Sequence, residues 1–452
     1  MKKLLQFDIL KDSPVKILVC ICVPLSAVYL LSCFTVSLTN ILYSRYAKDY
    51  FAVAGLINTV TLSLSMIIGG VISAAWIKTA FFYKDGDSHR KNFFSNALYA
   101  ILFTDLILIA MCLLFKNTIF RFFNIPEEMY SAVNIYYTVS ICTYVFTSAA
   151  TFIISCINGV GSVFEIFIGN SVNTCGTVLS AAILFCVFNA GIAGAALVTP
   201  VCSLFVVIYG VFLLKKKGIP LEIKAEIWRP DFGMIAGILK IGFLMGAQCL
   251  LCQIGDICIG LQTNRLLSLE YISVLSVTIP LTSVFTSFSS AVNAFVPANY
   301  HLGNINRVKK FISTLIAAAV IYAALCTVLY AVLGKWYYST LFDSARTVAY
   351  GADYWKIYGL GMIPLVFIYI LRYFLDCIGY NKLAFITGIV QMCGALIGAY
   401  ILIPLFGNSG RSWSTVIAYA LAAVYLISVY SALYGKIYIK GDTYENSKNQ
   451  QY

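Results

Sequence analysis

A chain of 452 residues that is 60% apolar, 11% charged and +12 in net charge, with mean hydropathy +0.86, is not a soluble domain. Soluble chains average about 45–50% apolar and about 25% charged residues. Apolar runs recur from Val15 to Gly435, each long enough to cross a bilayer at about 20 residues, and they lack the alternating pattern of a transmembrane barrel.

In chain order, the runs predict spans over 16–42, 51–79, 93–115, 132–157, 165–188, 191–214, 233–259, 271–298, 311–334, 351–378, 384–405 and 413–437. Met1-Lys2-Lys3 is basic, but Asp8, Lys11 and Asp12 interrupt any apolar region, so no cleavable signal peptide is expected. The segment 215–232, KKKGIPLEIKAEIWRPDF, is strongly charged and reads as a linker. The expected organisation is an N-terminal six-helix lobe (1–214), a cytoplasmic linker (215–232), a C-terminal six-helix lobe (233–437) and a polar cytoplasmic tail (438–452).

Lys84, Arg90, Lys91, Lys215, Lys216, Lys217, Arg307, Lys309, Lys310 and Lys382 fall in connections on one side. Glu127, Glu128, Glu270, Asp343 and Asp353 dilute the other. The positive-inside rule then places both termini in the cytoplasm and accounts for the net charge without nucleic acid. The 15 cysteines mostly lie in apolar runs, and His89 and His301 are the two histidines, so neither a metal site nor a disulfide framework is indicated.

The halves repeat. Asn306 follows Asp87 by 219 residues, Gly379 follows Gly161 by 218, Gly410 follows Gly191 by 219, and Leu244 follows Pro24 by 220. Six spans per half enter and leave on the same side, so the relating axis runs along the membrane normal. The fold class expected is an all-α polytopic membrane protein: twelve transmembrane helices as two pseudo-symmetric six-helix lobes around a central cleft.

The stretches KILVCICVPL, FAVAGL, NGVGS, GNSVNTCGTVLSAAILF, FNAGIAGAALVT and ILKIGFLMGAQ resemble the multidrug and toxic compound extrusion family, over nearly the whole chain. The resemblance implies secondary active efflux of amphipathic, cationic small molecules in exchange for Na⁺ or H⁺ by alternating access. A flippase of lipid-linked oligosaccharide or polysaccharide, from the same superfamily, is the alternative. The setting implied is the bacterial plasma (inner) membrane. The partners implied are a small-molecule substrate and membrane lipids, with no nucleic acid, no cofactor and a monomeric state. An intramembrane enzyme would need a nucleophile–base pair or metal ligands within the spans, and neither His lies mid-span.

An ionisable group inside a span is costly and marks a functional candidate. The family's span-1 carboxylate aligns with Thr39, where this chain has none. The polar set around it is Thr39, Asn40, Asn173, Thr177 and Thr199, with Pro24 as a hinge in span 1. It reads either as an ion site or as hydrogen-bond glue between helices. In span 7 the family's acidic position falls on Cys252, and Asp256 stands one turn later beside Gln253, with Gly255 permitting close helix approach. Asp256 reads as the coupling or substrate residue, or as the neutralising partner of a base such as Arg372. Asp105 in span 3 is the other isolated carboxylate. Arg372 and Asp376, four apart in span 10, can pair.

Overall fold

The computed structural model describes residues 8–46, 50–79, 87–122, 125, 127–160, 163–216, 228–276, 281–300 and 302–439. The central linker residues 217–227, the tail 440–452 and His301 lie outside them. Among the described residues the chain is helical throughout and forms no strand. The first half runs α1 (Pro14–Tyr46), α2 (Tyr50–Thr79), α3 (Asp87–Leu114), α4 (Lys116–Phe122), α5 (Tyr130–Cys142), α6 (Tyr144–Val160), α7 (Val163–Ala182) and α8 (Gly191–Lys216). The second runs α9 (Phe232–Leu266), α10 (Leu269–Ser276), α11 (Phe285–Tyr300), α12 (Ile305–Ser339), α13 (Ala345–Leu360), α14 (Met362–Phe367), α15 (Tyr373–Cys377), α16 (Asn381–Ile397) and α17 (Ile403–Tyr434).

Seven described helices are long and apolar enough to cross a membrane, and counting each of two bent pairs as one span gives nine. The shorter apolar helix Val60–Ala75 falls within α2. This is a multi-pass, all-α membrane protein.

Several irregularities come in pairs spaced by nearly the repeat length, although the π-helical turn at Ile368–Arg372 has no counterpart in the first half among the described residues. α5 and α6 bend by 44° at Thr143, and α13 and α14 bend by 41° at Gly361, 218 residues later. π-helical turns occupy Ile183–Val187 and Gly398–Leu402. Positive φ follows each, at Gly191 (52°) and at Gly407 (55°). The expected partner of Gly191 was Gly410, so the conformational landmark lies three residues earlier. Gly407 breaks what is otherwise one helical run, which separates the spans expected at 384–405 and 413–437.

Packing divides the chain into two compact units at points inside helices rather than at the linker. Unit 1 holds Val23–Gly246, and unit 2 holds Asp8–Cys22 with Ala247–Tyr452. In unit 1 the first half of α9 crosses α2 in backbone contact. A Cβ on Gly242 would lie 2.6 Å from Val71 Cα, and one on Gly246 would lie 2.8 Å from Ile67 Cα. Gly242 and Gly246 form the small-xxx-small pattern that lets helices approach closely in lipid. The end of the linker is fastened to the same unit: Asp231 N–H donates to Asn96 Oδ1 at 2.7 Å and Tyr99 hydroxyl to the Trp228 carbonyl at 2.9 Å.

In unit 2 the first half of α1 lies against α11. Cys22 Sγ donates to the Ser287 carbonyl at 3.7 Å, and Asn299 Nδ2 donates to the Ile9 carbonyl at 3.2 Å. Gly242 follows Cys22 by 220 residues, so the two crossings occupy equivalent places in the repeat. Pro24, just past the crossover in α1, has no N–H to donate to the carbonyl one turn back. α12 and α13 pair through Tyr337 stacked on Trp355 at 4.7 Å and a Thr327 hydroxyl bond to the Gly359 carbonyl at 2.6 Å.

Candidate functional site

Unit 2 gathers charge and aromatic rings around Asp256. Four-residue spacing puts Tyr350, Tyr354 and Tyr358 in one stripe along α13. Ser344 caps that helix by accepting the Thr347 N–H. Tyr271 of α10 meets the stripe edge-on, with ring centroids 5.8 Å from Tyr350 and 6.4 Å from Tyr354. Tyr354 and Tyr358 stack at 5.3 Å. The Tyr271 hydroxyl lies 2.9 Å from the Asn408 carbonyl and 3.0 Å from Ser412 Oγ. It therefore holds α10 to the part of α17 that restarts after Gly407.

That restart carries Arg411. Its Nη1 donates to Thr415 Oγ1 at 3.1 Å, and its buried Nε has no hydrogen-bond partner. Asp256, on α9, interacts electrostatically with Arg411, and with Tyr354 and Tyr419. The side chain of Asp256 is itself exposed, whereas Gly255 beside it packs on α16, where a Cβ would lie 2.7 Å from Ala395 Cβ. α9 is thereby held with Asp256 open to solvent on one side and enclosed by protein on the other, within electrostatic range of a guanidinium and several phenols. Such a set can exchange one cationic partner for another: a ligand cation competes with Arg411 for the carboxylate, and tyrosine faces attract organic cations.

The other candidates fall in three places. Arg372 and Asp376 are buried in unit 2 and interact electrostatically. Arg372 lies 4.7 Å from the Tyr373 ring centroid, and Asp376 Oδ1 accepts from Asn381 Nδ2 at 3.1 Å. Arg372 also acts on Cys249 and Cys252 of α9, whereas the basic partner of Asp256 is Arg411. Gln253 is half-buried on α9.

In unit 1, Thr177 hydroxyl donates to the Asn173 carbonyl at 3.0 Å, and Cys202 Sγ of α8 donates to that same carbonyl at 3.1 Å. Thr199 is exposed, and its carbonyl accepts from Ser203 at 2.8 Å. Thr39 is buried and donates to the Thr35 carbonyl at 2.8 Å, while Asn40 is exposed. These hydroxyl bonds run back along the threonines' own helices, and the contact the structure adds is α7 to α8 through Cys202. The third place is Asp105, wholly buried on α3 against Ser148 of α6. Among the described residues, no three His, Cys, Asp or Glu side chains converge as metal ligands.

The sequence reading missed Arg411, which it placed in the connection before the last span, and the tyrosine stripe. The four-residue spacing of Tyr350, Tyr354 and Tyr358 is the signal that would have found the stripe.

Residues 262–401 match the MatE family. No curated protein matches the chain. Among solved structures, a MOP superfamily transporter from Pyrococcus furiosus superposes with TM-score 0.80 at 16% identity, over 94% of this chain and 97% of that one. It is described as having a binding pocket of reversed polarity that suggests a different function. An outward-facing multidrug resistance MATE family transporter superposes with TM-score 0.78 at 14% identity over 97% of each chain. The MATE transporter ClbM, in complex with Rb⁺, superposes with TM-score 0.74 at 15% identity over 93% of this chain and 95% of that one. The chain thus carries a MatE match in its second half and has, over nearly its full length, the fold of the MATE transporters of the MOP superfamily.

Proposed function

We propose that the protein is a secondary active efflux transporter of the bacterial inner membrane, with both termini cytoplasmic. It exports amphipathic, cationic small molecules in exchange for Na⁺ or H⁺ by alternating access. The observation that carries this reading is the solvent-reachable Asp256 within electrostatic range of Arg411 and of the tyrosines of unit 2. An incoming cation that neutralises Asp256 competes with both Arg411 and a bound organic cation, and that competition is what an exchange cycle requires. The Rb⁺ held by ClbM supports a monovalent cation as the coupling ion.

The flippase reading retains one specific support. A lipid-linked sugar pyrophosphate calls for cationic donors, and Arg411, with an unpartnered Nε, adds to Arg372 in unit 2.

The test uses proteoliposomes of the purified protein, under an imposed Na⁺ gradient or an imposed pH gradient, and follows a fluorescent organic cation. Gradient-driven movement that Asp256→Asn reduces at least tenfold is expected. A broad panel of organic cations that shows no gradient-driven movement sinks the exporter reading and favours the flippase.

A further inference from the structure

Asp105 lies within unit 1, wholly buried on α3. One of its oxygens, Oδ2, contacts Ser148 Oγ of α6, and the other, Oδ1, has no hydrogen-bond partner. Ser148 Oγ also lies 3.1 Å from the Val145 carbonyl and 3.3 Å from the Tyr144 carbonyl. A hydroxyl has one hydrogen to donate, and three acceptors surround this one. Were Asp105 ionised, that single hydrogen would be, among the described residues, the sole neutralising contact of a buried negative charge.

The count closes differently if the hydrogen between Oδ2 and Oγ belongs to the acid. Asp105 then donates to Ser148 Oγ, and Ser148 turns its own hydrogen to a backbone carbonyl of α6. Oδ1 becomes a neutral carbonyl oxygen, whose burial without a donor costs far less than that of an unpaired carboxylate.

The surroundings agree. α3 packs with α2, α4, α5 and α6. Tyr144 of α6 interacts with Asp105 and lends its hydroxyl to Ser65 Oγ of α2 at 2.7 Å. α5 brings Tyr136 and Tyr137, the latter donating to the Cys112 carbonyl at 2.8 Å. By position in the sequence the basic residues of these helices stand towards helix ends: Lys78 near the end of α2, His89, Arg90 and Lys91 near the start of α3, and Lys116, whose Nζ donates to Asn134 Oδ1 at 2.8 Å, with Arg121 on α4. Among the described side chains, Ser148 is the one hydrogen-bonded to Asp105, and none brings it a counter-charge.

We propose that Asp105 is a proton-binding site of unit 1: packed as here it is a neutral acid donating to Ser148 Oγ, and it releases its proton only when α3 and α6 part enough to admit water. The site stands whether or not the transport reading holds.

Infrared difference spectroscopy of the full chain in lipid nanodiscs at neutral pH tests it. The wild type is expected to show the carbonyl stretch of a protonated carboxylic acid. That band disappears in Asp105→Asn, survives in Asp256→Asn, and moves to higher frequency in Ser148→Ala, where the acceptor of its hydrogen bond is gone. If Asp105→Asn removes a carboxylate stretch instead, Asp105 is ionised and the proposal falls. If Asp105→Asn does not fold, Ser148→Ala decides alone: an acid band that does not move overturns the assignment.

Discussion

Gly69 and Gly70 are consecutive in α2, yet they meet different surroundings. A Cβ on Gly69 finds open space, whereas one on Gly70 collides with the backbone nitrogen of Gly246. Gly69→Ala exchanges a poor helix former for a good one and is expected to be neutral or stabilising by up to about 1 kcal/mol. Gly70→Ala has to push α9 away from α2 and is expected to cost about 1–3 kcal/mol. Thermal unfolding of the two purified variants separates them, and equal midpoints would mean that the α2–α9 crossing is not in backbone contact. Single residues were legible in the sequence where chemistry contradicts its setting. Asp105 and Asp256 stand out because a carboxylate in an apolar run is costly. Arg411 did not stand out, because arginine is unremarkable in a connection. It lies four residues past the break at Gly407, on the part of α17 that restarts there, and interacts electrostatically with Asp256.

At the scale of elements, local electrostatics fix the start of α1. Asp12 Oδ2 accepts the Asp8 N–H at 2.8 Å and a Lys16 Nζ hydrogen at 2.9 Å. The Asp8 N–H first, and Lys16 next, hold the Asp12 carboxyl below its ordinary value of 3.8. A carboxyl whose folded value is depressed contributes stability that is fully present above the unfolded value. That contribution is lost as pH falls through the folded value, so the window lies below about 4. Asp12→Asn is therefore expected to speed amide exchange at Asp8 relative to wild type at neutral pH, with the difference shrinking below that window. A difference that persists unchanged in acid would assign the effect to something other than this carboxylate. Helix positions followed from hydropathy because each run must satisfy its own backbone in lipid. The bends at Thr143 and Gly361 and the π-helical turns did not follow. They adjust the backbone without changing the average polarity of a run, and hydropathy reads only that average.

For the whole molecule, the repeat read from four landmarks reappears as paired bends, paired π-helical turns and paired positive-φ glycines. Division at the linker does not describe the packing, because composition marks where a chain is polar, not which neighbour a helix half touches. α1 and α9 each belong to both units, changing over at Cys22/Val23 and at Gly246/Ala247. A chain cut within the linker leaves each fragment holding a helix half that belongs in the other's unit. The carboxy-terminal fragment keeps Gly242 and Gly246, which fit against α2. The amino-terminal fragment keeps Asp12, whose carbonyl accepts from Arg307 Nη2 at 2.8 Å. Co-expressed halves, cut between residues 222 and 223, are therefore expected to copurify in detergent, and each half alone to aggregate or be degraded. Gly70→Leu in the amino-terminal half should lower the recovered complex several-fold, because a buried leucine at a backbone crossing forces the helices apart. Monodisperse recovery of each half on its own would show that the helix halves do not hold the units they are assigned to.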